Sequence, residues 1–266
     1  MNRLADILSR VEQFVELRKK EGGGFGATPN LPATVEDTYH ALRILDSISS
    51  VSKTAFSRQT RRWPELSSFL HSFLKKDLEL GGRGVFQLFW CMKYCRTLPP
   101  ERQALAVISR KILDRPGREN LYFALRTMLE VLESTPGREA ILPGTPPAEP
   151  IFEGILRKRM MDLYLDRHLG WGKIPAGEAA AWFRLCQNPD GGFGFMPGTT
   201  SYIENCHYGL SSLALLDSAP ADKAACQNFI MGCRTRSGGF SRNSSAAPFL
   251  DATWHAVRGL LILKTL

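Results

Sequence analysis

No stretch of this 266-residue chain is long and apolar enough to span a membrane, and no Asp-Asp pair occurs in it. The first absence excludes a transmembrane helix. The second removes the Asp-Asp-x-x-Asp arrangement that holds a magnesium diphosphate. The N-terminal "MNRLADILSRVEQFVELRKK" places apolar residues at 4, 7, 8, 11, 14 and 15 with charges between them, so it lacks the continuous apolar core expected of a signal peptide. Six cysteines (Cys91, Cys95, Cys186, Cys206, Cys226, Cys233) form no Cys-x-x-Cys pair. They read as reduced thiols in a cytoplasmic setting rather than a disulfide framework. The Gly-Gly pairs are followed by no Lys-Ser/Thr, which excludes a phosphate loop. No alternating strand pattern and no nucleic-acid motif is present. The formal charge of +8 carries local basic runs at 58–63 and 157–161, with acids interleaved elsewhere; nucleic acid is therefore an unlikely partner.

What the chain does contain is a repeat. With Phe25, Phe193 and Phe240 as origins, an acid follows eleven residues on (Glu36, Glu204, Asp251). A ring follows at fourteen (Tyr39, His207, Trp254) and again at fifteen (His40, Tyr208, His255). A small residue stands at sixteen (Ala41, Gly209, Ala256), and apolar residues recur at seventeen, twenty and twenty-three. Agreement at so many offsets marks a repeat protein.

The apolar period is helical throughout. It predicts helices near 2–19, 34–49, 65–77, 84–97, 101–113, 119–133, 151–168, 176–187, 201–217, 221–233 and 249–265. Within each clear repeat a helix, a glycine-bearing loop and a second helix make an α-hairpin. About five to six such hairpins share one core, so residues 1–266 are expected to form a single all-α domain. A Pro/Gly-rich loop is expected at 134–150. The small residue at offset sixteen is expected to let a neighbouring helix approach, and the glycines to close the helices before them.

The three segments, together with "AWFRLCQNPDGGF" (181–193), resemble the repeats of protein prenyltransferase β subunits and of the squalene and oxidosqualene cyclases. The resemblance implies an α/α toroid around an apolar cavity. The cyclases' Asp-x-Asp-Asp acid is absent, and "DLYLD" at 162–166 has a different spacing. In the transferases, an Asp and a Cys two residues apart and a His from the next repeat hold a zinc ion that activates a thiol. Glu204, Cys206 and His255 stand at similar places, with Glu for Asp, and with Trp254 where the family's His would fall. The resemblance thus implies zinc as cofactor, Cys206 and Asp251 as catalytic residues (Asp251 supporting His255), and Glu204, Cys206 and His255 as metal ligands. It also implies an isoprenoid or other apolar ligand held by Tyr39, His207, Tyr208 and Trp254. Arg234, Arg236 and Arg242 would offer a cationic rim for a diphosphate or carboxylate head, and a partner subunit is possible.

Each of these residues also has a structural role to offer. Acids at helix starts meet free amides and the positive end of the dipole. Cys206 sits where the other repeats have Thr38 and Thr253, so a small packing residue suffices there. The competing reading is a toroid that keeps the apolar cavity without catalysis and serves as a ligand-binding or interaction subunit.

Overall fold

The computed structural model describes residues 3–51, 63–75, 80–114, 117–133 and 151–266. The loop expected at 134–150 and most of the basic run at 58–63 lie outside the described residues. The chain divides into two compact units, residues 1–143 and 144–266, and each is described by itself.

The first unit contains α1 (Arg3–Glu16), α2 (Val35–Val51), α3 (Pro64–Lys75), α4 (Gly82–Tyr94), α5 (Glu101–Asp114) and α6 (Arg118–Arg126). Helices α2, α4 and α6 pack side by side in one row, with α1, α3 and α5 against their flank. The second unit repeats the plan with α7 (Leu156–Leu169), α8 (Ala176–Leu185), α9 (Ile203–Leu215), α10 (Lys223–Gly232) and α11 (Leu250–Thr265). There α7, α9 and α11 form the row, and α8 and α10 flank it. Every expected helix is present, and the only β pairing among the described residues is a set of isolated bridges. Row helices bury the offset-seventeen and offset-twenty leucines fully in the first two repeats: Leu42, Leu45, Leu210 and Leu213. Each such side chain contributes roughly 1.5–3 kcal/mol by leaving water.

The loops explain the sequence pattern. Phe193 forms one backbone bridge back to Gln187 and another forward to Tyr202, and Phe25 does the same with Lys19 and Thr34. All three origin phenylalanines are fully buried. Gly209 is small because the Phe193 ring lies against it; a Cβ there would come within 2.5 Å of a ring carbon. The space expected for a neighbouring helix is thus filled by the repeat's own loop. Nor do the paired glycines cap the preceding helices. α8 ends at Leu185, and Gly191 lies beyond it at φ +86°, where its Cβ would fall 2.1 Å from the Ala225 carbonyl oxygen of α10. Left-handed backbone and contact with the next helix together demand glycine. Gln187 fastens the same junction: its Nε2 donates to the Asp222 carbonyl at 2.7 Å, and its Oε1 accepts the Asp222 amide at 2.9 Å. Asp222 then caps α10 by accepting from the Ala225 amide.

Two elements depart from the helical pattern. α7 begins at Leu156, five residues after its expected start, because Phe152 takes φ +62° and donates its amide to Asp162 Oδ2 at 2.8 Å. The helix expected over 119–133 is α-helical only to Arg126 and continues as a π-turn, Thr127–Leu132. There Lys93 Nζ donates to the Glu130 carbonyl at 2.7 Å.

Candidate functional site

In the second unit, α9 and α11 bring two buried imidazoles together. His207 Nδ1 and His255 Nδ1 are 2.8 Å apart. One donates and the other accepts, so the pair holds one proton between these two atoms. Trp254 meets His207 edge-on at 4.8 Å between centroids and lies 4.7 Å from His255. Half-buried Tyr208 closes the other side, 5.1 Å from His255 and perpendicular to it. The four rings at offsets fourteen and fifteen of two repeats therefore form one cluster, with Tyr208 giving it access to solvent.

The three residues expected to hold zinc are engaged elsewhere. Cys206 is fully buried and accepts the Phe193 amide, and its thiol is hydrogen-bonded to Cys226. Burial and the neighbouring Cys226 push its pKa well above the usual thiol range, so thiolate is disfavoured. The other repeats make the same contact with a hydroxyl: the Phe25 amide donates to Thr38 Oγ1 and the Phe240 amide to Thr253 Oγ1, both at 2.9 Å. Cys206 is thus the loop-closing acceptor of its repeat. Cys206 and His207 are adjacent, and one residue turns a helix by about 100°; the thiol points to its loop while the imidazole meets α11. Glu204 Oε1 accepts from Arg242 Nε at 2.6 Å. Among the described residues no three His, Cys, Asp or Glu side chains form a group that could hold a metal ion. The set Glu204, Cys206 and His255 therefore does not fit zinc as it stands.

The remaining expected residues fall as follows. Asp251 is exposed and its Oδ1 accepts the Ala252 amide at 2.7 Å, a helix-start role; among the described residues no hydrogen bond joins it to His255. Glu36, its counterpart in α2, pairs with Arg83 at 2.5 Å. Of the expected cationic rim, Arg242 joins Glu204 and lies 4.0 Å over the Tyr202 ring, whereas Arg234 and Arg236 are exposed on the preceding loop.

Tyr39 belongs to the first unit and lies in a second cluster that the sequence did not reveal. Its ring meets Phe86 and Trp90 of α4, each edge-on within 5.7 Å. Arg43 lies 4.8 Å over Trp90, and Arg126 lies 4.3 Å over Phe86. Arg126 forms a two-pronged bridge to Glu130 at 2.5 and 2.8 Å, and Arg43 approaches the same carboxylate at 3.7 Å. Burial alone would depress Arg126, but Tyr122 and Glu130 outweigh it and hold its pKa above the ordinary value. The degenerate spacing of the middle repeats hides this cluster. The signal present was the i, i+4 pair Arg126–Glu130.

Within each unit, a row of helices with flanking helices packed against it makes an all-α repeat architecture. The chain belongs to the prenyltransferase family: the model of the prenyltransferase alpha-alpha toroid domain matches residues 3–99, 156–203 and 199–266. No curated protein matches the chain. No helix among the described residues is long and apolar enough to cross a membrane.

Proposed function

We propose that the protein holds an isoprenoid or similarly apolar chain against the ring clusters of its row helices, and that it does so without a zinc-activated thiol. The observation that carries this reading is the cluster of Tyr208, Trp254, His207 and His255. It is a buried group of rings with a small number of polar atoms, reached through half-buried Tyr208, and aromatic walls with a few polar groups suit a small-molecule site. Family membership supports the same ligand class. The thiol chemistry expected from the resemblance finds no support at Cys206, whose sulfur closes a loop and stays protonated through burial. The reading favoured is therefore the binding subunit.

In such a complex Tyr208, the half-buried member, meets the ligand first. Trp254 and His207 form the wall behind it, and burial of apolar surface supplies the affinity at roughly 25 cal/mol per Å² before the cost of association. The test is quenching of tryptophan fluorescence by farnesyl diphosphate and by farnesol. Saturable binding weakened by Tyr208→Ala supports the proposal. Absence of binding for both ligands overturns it.

A further inference from the structure

We propose that the starts of the row helices in the second unit form a membrane-binding face, whose occupant is the surface of a bilayer carrying anionic phospholipid. The inference requires no part of the apolar-chain reading.

The first argument is a set of missing helix caps. Ile155, Tyr202 and Phe249 stand at the N-caps of α7, α9 and α11, and none of their side chains accepts an amide. Ser, Thr, Asp and Asn are the residues that stabilise a helix from that position. The first repeat keeps to this at the same distance from its origin phenylalanine: Thr34 Oγ1 accepts the Asp37 amide at 2.9 Å at the start of α2. Asp222 does the same for α10. At Ile155 and Phe249 the chain instead sets an apolar side chain in water, 44% and 43% exposed, and Met196 on the loop before α9 is 47% exposed. A local rule broken with so little packing in return marks a functional position.

The second argument is that these positions share one edge and carry a matching charge. The Leu156 amide donates to the Phe195 carbonyl at 2.7 Å, so the start of α7 lies against the loop that holds Met196. The Ile203 amide donates to the Arg242 carbonyl at 3.0 Å, and Ser241 pairs with Pro248, so the starts of α9 and α11 are joined in the same way. Along this edge the segments 151–159, 186–204 and 233–251 carry six cations and four acids. Arg157 and Lys158 fall in the first turn of α7, where cations oppose the helix dipole and the turn holds no acid. Arg242 lies over the Tyr202 ring with its side chain half exposed. The positive excess disfavours a second copy of the same face, because like charges would meet. A folded partner is matched by one contiguous apolar patch, whereas here apolar tips on three segments alternate with cations. That pattern suits a bilayer: the tips enter the boundary between head groups and acyl chains, and the cations meet phosphates.

The test is flotation of the protein with vesicles of phosphatidylcholine alone and with phosphatidylserine added, with no isoprenoid present, so that its outcome is separate from that of the proposed function. The wild type is expected to float with the anionic vesicles, and less so at high salt. Ile155→Ser/Met196→Ser/Phe249→Ser is expected to bind at least about tenfold more weakly, and Arg157→Gln/Lys158→Gln to lose roughly fivefold per charge. Serine supplies a cap at 155 and 249, so the triple variant is expected to melt no lower than the wild type, which separates lost binding from lost folding. No flotation of the wild type, flotation indifferent to the three apolar substitutions, or self-association that those substitutions abolish would each overturn the proposal. The first of these would leave the face to a protein partner.

Discussion

Replacing Cys206 by threonine separates a structural thiol from a chemical one. The perturbation exchanges Sγ for a hydroxyl and a methyl at the position where the first and third repeats already carry Thr38 and Thr253. In the third repeat Thr253 Oγ1 accepts the Phe240 amide at 2.9 Å and donates to the Phe249 carbonyl, four residues back, at 2.7 Å. A hydroxyl at 206 has the same two partners, the Phe193 amide and the Tyr202 carbonyl. A neutral hydrogen bond contributes about 0.5–1.5 kcal/mol net, and a thiol is a weaker acceptor than a hydroxyl. Cys206→Thr is therefore expected to be neutral to about 1 kcal/mol stabilising. Cys206→Ala leaves the buried Phe193 amide without its acceptor and is expected to cost about 1–3 kcal/mol. Urea denaturation followed by circular dichroism resolves a difference of that size. If threonine proves as damaging as alanine, the loop-closing account of Cys206 is wrong.

Other substitutions test the frame. Gly191→Ala meets both φ +86° and the Ala225 carbonyl, whereas Gly198→Ala meets φ +77° with open space around it. Left-handed strain costs about 1–2 kcal/mol in both, so thermal melts should show Gly191→Ala worse by a further 1–3 kcal/mol, roughly the cost of overpacking; equal losses would refute the contact. Arg126→Met leaves the partly exposed Glu130 with Arg43 at 3.7 Å in place of its two-pronged partner and should cost about 1–3 kcal/mol, with Arg126→Met/Glu130→Gln recovering part of it in a double-mutant cycle. Burial raises Cys186 to about 12 and Cys233 to about 11 from an ordinary 9.0. Because the folded state holds these protons more tightly than the unfolded one, that stability is present below pH 9.0 and is lost as pH rises through 11 to 12. Urea midpoints should fall across that window, and a Cys186→Ala/Cys233→Ala variant should show a shallower decline.

Much of the frame could be read from the residues, and the reason is physical. A repeat that buries one phenylalanine per loop must keep fixed distances to the groups that hold it, so offsets thirteen to twenty survive in three segments. The start of α7 was not legible, because it turns on a single amide bond from Phe152 to Asp162 and a left-handed phenylalanine. The π-turn after Arg126 was equally hidden, since its apolar period still resembles an α-helix. At the candidate site the sequence grouped Cys206 with His255. It could not show that Cys206 and His207, neighbours in sequence, leave the helix about 100° apart and serve a loop and a site respectively. The cluster around Arg43 and Arg126 went unseen because the middle repeats lack the spacing that exposes the others.

The central claim, an apolar chain held against the ring cluster, is tested most directly by calorimetric titration with farnesyl diphosphate at several temperatures. Saturable binding with a negative heat-capacity change, the mark of apolar burial, and a clear loss of affinity in Tyr208→Ala are the expected result. Binding that is purely ionic, with no heat-capacity change and no dependence on Tyr208, or no binding at all, would contradict it.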